Sequence, residues 1–159
     1  MELDSHKLLV GNGPACDTVN FTEYIQKNMK LYELNNDRSL GTQATANFIR
    51  GELATAIRQG PVQTNLLLGG YDEQANEVSL YWMDYMGAMS KVDFGSHGYA
   101  ANFISSVFDR DYKPNMSVNQ GLDVIKKCLH ELRTRFLISQ PKFLIKLVDK
   151  EGIREVPLE

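Results

Sequence analysis

Cysteine and histidine are scarce in this sequence. Only two cysteines, Cys16 and Cys128, occur among 159 residues, and they lie far apart in the chain. This usage argues against a disulfide framework and is typical of a reducing compartment. The three histidines, His6, His97 and His130, are isolated. At the spacing of Cys128 and His130, side chains on one helix point about 200° apart. We therefore expect no metal site and no cofactor.

Long apolar runs and an excess of basic residues are also missing. The longest apolar stretch is far shorter than the roughly 20 residues that span a bilayer, and the opening MELDSHKLLV matches neither a signal peptide nor a transit peptide. Lys and Arg total 17 against 20 Asp and Glu, mixed along the chain, and the formal net charge is -3. We expect an intracellular protein with no membrane and no nucleic-acid partner.

The remaining composition is that of a folded domain. Hydrophobic residues make up 43% of the chain and charged residues 23%, which favours a packed core over intrinsic disorder. Because 159 residues fit one domain, we predict a single domain over residues 1–159.

Four segments are predicted to be helices, and the first, second and fourth have the apolar periodicity that helices show. The first begins at Pro14, with Asp17 in its first turn, and carries Phe21, Ile25, Met29 and Tyr32. The second ends before Gly60-Pro61 and carries Ala46, Ile49, Leu53 and Ile57. The third is predicted within SHGYAANFISSVFDRDY. The fourth opens with a capping box of Ser117 and Gln120, and its stripe is Val118, Leu122, Ile125, Leu129, Leu132 and Phe136.

Other segments have the composition of strands. A strand is predicted around Leu8–Val10, paired strands in TNLLLGGYD and VSLYWMDYMGAM, and a closing hairpin in FLIKLVDKEGIREV. The aromatic and methionine cluster between Tyr81 and Met89 indicates core or a partner surface. Helix pairs separated by strands predict an α+β fold in which helices cover both faces of a largely antiparallel sheet.

The stretch LLVGNGPACDTVNF runs from a strand through Gly11-Asn12-Gly13 into a helix. Such a turn presents backbone amides to an anion, so phosphate binding and an oxyanion hole are both open. The P-loop lysine and the three-glycine dinucleotide fingerprint are missing. A tight turn that needs glycine is the simpler explanation.

Two nucleophile hypotheses are weaker. Cys16 lies near a helix start and could act as a nucleophile with one of the three histidines as its base. Nothing in the sequence places a histidine beside it, and free cysteine is more often simply buried. Ser96-His97 suggests a hydrolase, but neighbouring residues rarely point at each other, and a polar loop is the safer explanation.

The chain resembles the β subunits of the 20S proteasome over nearly its whole length. The similar stretches are LLVGNGPACDTVNFTEYIQKN, NLLLGGYDE, SLYWMDYMGAM, HGYAANFISSVFDRDY and the helix ending ELRTRFLIS. Within that family, DTVNFTEYIQKN and HGY look most like the beta type-2 group, which is non-catalytic and occupies the fourth position of the β ring. The resemblance implies the N-terminal-nucleophile hydrolase fold, a four-layer αββα sandwich.

The resemblance also implies which active-site positions remain. In active relatives the glycine matching Gly13 offers its amide to the oxyanion that forms when an N-terminal threonine attacks a peptide carbonyl. Ser139 matches the active pattern as well. Tyr99 stands where active subunits have a serine, and Phe136 where they have an aspartate. The resemblance therefore implies two remnants, Gly13 and Ser139, and no catalytic residue.

The segment that carries the threonine and its partners in active relatives has no counterpart before Met1. We therefore expect an N-terminally truncated chain that lacks its opening strands. Because those strands are expected to pair with the strand around Leu8–Val10, we expect an exposed sheet edge there.

The function implied by the resemblance is structural. The chain is expected to be a non-catalytic β-ring subunit that contacts other α and β subunits in stacked heptameric rings. It would support ATP- and ubiquitin-dependent protein degradation in the cytoplasm and nucleus. Two alternatives stay open: a catalytic threonine-type endopeptidase whose threonine segment is missing, and an unrelated domain that binds an anion at Gly13.

Overall fold

The computed structural model describes residues 1–138 and 140–157. Within them the chain forms two compact units. The first combines Met1–Asp93 with the described residues from Leu144 onward, and the second is Phe94–Phe143. The single domain that the sequence predicts over residues 1–159 stays a prediction.

The first unit contains a five-stranded antiparallel sheet in the order β1-β2-β3-β4-β5. Its strands are β1 (Glu2–Asp4), β2 (Lys7–Asn12), β3 (Asn65–Asp72), β4 (Glu77–Met83) and β5 (Met89–Val92). The apolar runs predict β2 to β5, whereas β1 is an addition. Antiparallel register places Leu9 opposite Leu68, and Leu66 opposite Met83. These four side chains share one face of the sheet and are fully buried.

Two helices, α1 (Ala15–Asn36) and α2 (Thr42–Gln59), pack against that buried face. The apolar stripe of α1 buries Phe21, Ile25 and Met29 as predicted. The stripe of α2 buries Ala46, Ile49 and Leu53. Ile57 departs from the prediction, because 38% of its surface is exposed. The predicted helix ends at Asn35–Asp37 and Gly60-Pro61 are confirmed within one residue.

The expected free edge at Leu8–Val10 is wrong. The strand β2 that contains these residues pairs with β1 on one side and with β3 on the other. On the β1 side, pairing covers Lys7 and Leu8, and the Leu9 amide and carbonyl also bond to Met1. The edges of this sheet lie at β1 and β5.

The chain returns to the first unit as a two-stranded antiparallel sheet. Its strands are β6 (Ile145–Asp149) and β7 (Gly152–Val156), which confirms the predicted closing hairpin. An ion pair ties this hairpin to β1, because the Lys146 ammonium lies 2.7 Å from a Glu2 carboxylate oxygen. The alternation of helices with antiparallel sheets confirms the predicted α+β class.

The second unit pairs helices α3 (Ala101–Asp111) and α4 (Val118–Arg135). Its buried core consists of Ile104, Val107, Phe108, Val124, Cys128 and Leu132. The capping box at the start of α4 is confirmed, since Ser117 and Gln120 exchange side-chain and backbone hydrogen bonds. The first residue of the predicted apolar stripe is not buried, since Val118 is 46% exposed.

Phe136 also departs from the helical stripe. Its backbone is extended, and α4 ends one residue earlier, at Arg135. The ring nevertheless packs against the core of the second unit. The apolar role that the sequence predicts is therefore correct, but a residue beyond the helix fulfils it.

A buried ion pair lies in the turn between β1 and β2. Lys7 is 4% exposed, and its ammonium donates to an Asp4 carboxylate oxygen at 2.7 Å. The other Asp4 oxygen accepts a hydrogen bond from the His6 amide at 2.9 Å. Because a buried charge without a partner is costly, these bonds are required for Lys7 to be buried at all.

The N-terminus of α2 is capped by a residue from β3. Gly41 precedes the helix and has no side chain that could cap it. An Asp72 carboxylate oxygen accepts hydrogen bonds from the Thr42 amide at 2.8 Å and from the Thr42 hydroxyl at 3.0 Å. A Cβ at Gly70 would overlap the Thr42 side chain. The glycine therefore allows the helix to approach the strand that caps it.

We predict that Asp72→Ala lowers the free energy of unfolding by about 1 kcal/mol, the usual effect of a lost N-cap. Urea denaturation of the purified chain measures this change. Asp93→Ala is the matched control, since Asp93 is exposed just after β5, and it should change stability by less than about 0.5 kcal/mol. Equal effects of the two substitutions would contradict the capping role.

Candidate functional site

The turn between β2 and α1 is held against the segment that leads into β3. A Cβ at Gly13 would lie inside van der Waals distance of the Gln63 carbonyl oxygen, and 3.1 Å from the Thr64 Cα. The Gly13 backbone does not adopt a positive φ. Close backbone approach, and not an unusual conformation, therefore requires glycine at this position.

Side chains from α1 strengthen the same contact. An Asp17 carboxylate oxygen accepts a hydrogen bond from the Gln63 amide at 2.9 Å. The hydroxyl of Thr18 lies 3.2 Å from that of Thr64, which is fully buried. The glycine turn, the start of α1 and the start of β3 are thus one connected structure.

The chemistry available at this turn is limited. The N-cap of α1 is Pro14, which makes no side-chain capping bond, and helix N-termini attract anions in general. Asp17, however, places a carboxylate in the first turn of the helix, where its charge opposes that of a bound phosphate. The anion-binding alternative stays a prediction, and this carboxylate weighs against it.

Neither cysteine has the surroundings of a nucleophile. Cys16 is exposed, and the Asn20 amide contacts its sulfur at 3.4 Å. His6, the histidine of the same unit, has Ser5 and the Lys150 carbonyl as its ring-nitrogen partners and not the Cys16 thiol. Burial raises the pKa of the Cys128 thiol, which keeps it protonated. The Cys-His hypothesis thus receives no support from the geometry.

The two positions that depart from the active pattern lie together in the second unit. The rings of Tyr99 and Phe136 have centroids 6.3 Å apart, and Phe103 lies 5.5 Å from Phe136. Tyr99 is 75% exposed, whereas Phe136 is partly buried. The sequence pointed to these two positions separately, and the structure brings their rings into contact.

The remaining predicted site residues are Ser139, Ser96 and His97. Ser139 lies outside the described residues. Ser96 and His97 lie in the loop before α3, as the polar-loop interpretation predicts. Residues 1–138 and 140–157 contain no group of three or more His, Cys, Asp and Glu side chains that could hold a metal ion. Among the same residues no helix has the length and apolarity that crossing a bilayer requires.

One polar cluster was missed at the sequence level. His6 Nδ1 lies 2.8 Å from the Ser5 hydroxyl, and His6 Nε2 lies 3.8 Å from a Glu73 carboxylate oxygen. Ser5, His6 and Glu73 follow one another as the serine, histidine and carboxylate of a hydrolase triad do. The distance between His6 and Glu73, however, is longer than a hydrogen bond. The His6 carbonyl also accepts the Tyr71 amide at 3.0 Å. This cluster joins two hairpin turns, and only the fold brings Glu73 near His6.

We predict that Gly13→Ala destabilises the chain by roughly 1–3 kcal/mol, because the added methyl group forces the turn away from Gln63. Gly51→Ala is the control, since Gly51 lies inside α2 with no atom within 4 Å of its Cβ position. That substitution should stabilise the chain by about 0.5–1 kcal/mol. Denaturant unfolding compares them, and a Gly13→Ala chain as stable as the parent would refute the steric argument.

Comparison with known proteins gives a consistent result. The family described as "Proteasome subunit" matches residues 1–148. Proteasome subunit beta type-2-B of Arabidopsis thaliana is 49% identical over 155 residues, which are 98% of this chain and 77% of that protein. Proteasome subunit beta type-2 of Dictyostelium discoideum is 48% identical over 159 residues, 99% of this chain and 80% of that protein.

A fungal relative extends the comparison. Proteasome subunit beta type-4 of Saccharomyces cerevisiae is 42% identical over 156 residues, which are 98% of this chain and 79% of that protein. The resemblance stated from the sequence, to β subunits and within them to the beta type-2 group, is confirmed by these matches. The chain belongs to the proteasome β-subunit family.

Proposed function

We propose that this chain is a non-catalytic structural subunit of the β ring of the 20S proteasome core. Its membership of the β-subunit family supports a role as a core subunit. The relatives are named as proteasome β subunits, and this chain matches most of the length of each. The proposal adds that the chain contributes structure to the ring and no peptidase chemistry of its own.

The observation that carries this proposal is the contact between Tyr99 and Phe136. By the resemblance, these positions correspond to a serine and an aspartate in active subunits. Phe136 has no titratable group, so it cannot accept a proton or stabilise a charged neighbour as a carboxylate does. Its ring packs with Tyr99 and Phe103 instead, and the site favours an apolar cluster over a catalytic one.

The state of Gly13 agrees with this proposal. Its amide matches an oxyanion donor of active relatives only by resemblance, whereas its contact with Gln63 accounts for glycine without any reaction. A turn that serves packing is compatible with a subunit that shares the family's fold but does not cut peptides.

The proposed role also includes a position in the assembled ring. We place the chain in a heptameric ring, where it contacts neighbouring β subunits and an α subunit through different surfaces, as a heterologous ring requires. The four-layer αββα sandwich belongs to the same proposal. The assembled particle would degrade proteins in an ATP- and ubiquitin-dependent manner in the cytoplasm and nucleus.

We predict that a chain carrying a C-terminal tag, expressed in its source cells, is recovered in a particle with many subunits of similar mass. Native mass spectrometry of the tagged material measures this assembly. Recovery only as a monomer or a homodimer would refute the ring proposal, and phosphate-dependent thermal stabilisation of that species would favour the anion-binding alternative.

The non-catalytic role has a separate test on the same particle. An electrophilic peptide epoxyketone, which reacts with an N-terminal threonine, should label other subunits and leave the tagged chain unlabelled. The labelled active subunits are the internal positive control. Labelling of the tagged chain itself would support the catalytic alternative and overturn the non-catalytic role while leaving membership of the ring intact.

A further inference from the structure

The turn between β4 and β5 presents two large apolar side chains to solvent. Tyr85 is 40% exposed and Met86 is 53% exposed. They occupy adjacent positions at the tip of the turn. Tyrosine and methionine are enriched at the centres of protein interfaces, where each contributes a large contact area.

Hydrogen bonds fix the conformation of this turn. One Asp84 carboxylate oxygen accepts the amides of Met86 and Ala88, each at 2.9 Å. Backbone bonds also join Asp84 to Ala88 and Gly87 to Asp84, each at 3.0 Å. The Asn65 side chain accepts the Tyr85 amide at 3.0 Å. Because the turn is already ordered, little conformational entropy is lost when Tyr85 and Met86 bind a partner.

The same turn is seated on α2. Gly87 has a φ of 84°, and a Cβ there would lie 3.3 Å from the Arg50 carbonyl oxygen and 3.4 Å from the Ala54 amide nitrogen. A side chain at position 87 is therefore disfavoured both by the positive φ and by the nearby backbone of α2. The tip of the turn and this part of α2 consequently form one continuous surface.

The exposed face of α2 beside the turn carries apolar and cationic groups. Arg50, Ala54, Ile57 and Arg58 are all exposed, and their helical spacing places them on one face. Neither guanidinium forms an ion pair or a hydrogen bond with any residue in the described part of the chain. Asp84 is bonded to amides of its own turn and does not neutralise them.

We define the turn–α2 surface as Arg50, Ala54, Ile57, Arg58, Tyr85 and Met86. Four of its six residues, Ala54, Ile57, Tyr85 and Met86, are apolar or aromatic, and its two charged groups are both cationic. A complementary partner has an apolar cleft that receives Tyr85 and Met86, with carboxylates placed to pair with the two arginines. Arginine and tyrosine are the residue types that most often dominate binding energy in such contacts.

We infer that the turn–α2 surface docks onto an acidic-rimmed apolar cleft of a neighbouring subunit in the proteasome core. This inference rests on the proposed ring function, which supplies the class of partner. The geometry supplies the location, since a rigid apolar tip and unpaired arginines occur together on one surface. The contact is between folded subunits and requires no change of conformation in this chain.

The test measures how well variants of the tagged full-length chain compete with the untagged chain for places in the particle in source cells. Met86→Glu, and separately Arg50→Glu combined with Arg58→Glu, should each reduce the tagged share of assembled particles at least about fivefold, as expected for hot-spot positions. Quantitative mass spectrometry of purified particles gives this share. All these positions are exposed, so the substitutions leave the core unchanged.

Two controls separate the surface from folding defects. Met86→Leu keeps the apolar contact, and Val78→Glu places the same charge on a 62% exposed residue at the other end of β4. Both should assemble within about twofold of the unmodified chain, a difference of only about 0.4 kcal/mol. A photoreactive phenylalanine analogue at position 86 should cross-link to another core subunit within the particle.

The outcomes distinguish this inference from the proposed function. If the unmodified chain enters the particle and both charge-bearing variants enter equally well, the docking inference is overturned and the ring role stands. Cross-linking at position 86 only to proteins outside the core would also overturn it. If the unmodified chain never enters the particle, the proposed function itself fails.

Discussion

The central strand of the five-stranded sheet, β3, and the residues just before it anchor the N-termini of α1 and α2, and each anchor depends on a glycine. At one end of β3, the turn into α1 lies against Gln63 where Gly13 has no side chain. At the other end, α2 begins against Gly70 and is capped by Asp72. Because the two helices are fixed at opposite ends of one strand, their apolar stripes cover the same face of the sheet.

This arrangement explains which parts of the fold could be predicted from the sequence. Local sequence patterns predict α1 to α4 and the closing hairpin: apolar periodicity predicts α1, α2 and α4, and strand composition around a turn predicts the hairpin. The capping box of α4 is also local, with both partners within four residues. The Asp72 cap and the Gly13 contact were not predictable, because their partners are 30 and more residues away and only the tertiary fold identifies them.

The predictions from the sequence that are wrong or incomplete also depend on tertiary contacts. Ile57 and Val118 fit the helical period but lie where no neighbouring element covers them, so both are exposed. Strand β1 has three residues, too few for a periodic signal, and is defined by its pairing with β2. At the candidate site, resemblance supplied the positions of Tyr99 and Phe136. The contact between their rings follows from the packing of α3 and α4, which no motif encodes.

The buried Lys7–Asp4 pair has a consequence for how the strands are aligned. Lys7 lies opposite Gly70 in the pairing of β2 with β3, and its side chain points to the covered face. A slip of β2 by one residue against both β1 and β3 would turn Lys7 to the other face and carry Leu8 into its place. The ammonium would then lose Asp4, and the carboxylate would be left unpaired in a partly buried turn. The Lys7–Asp4 ion pair therefore favours the native alignment of this sheet. Apolar burial alone is less specific, because one leucine can replace another on the covered face.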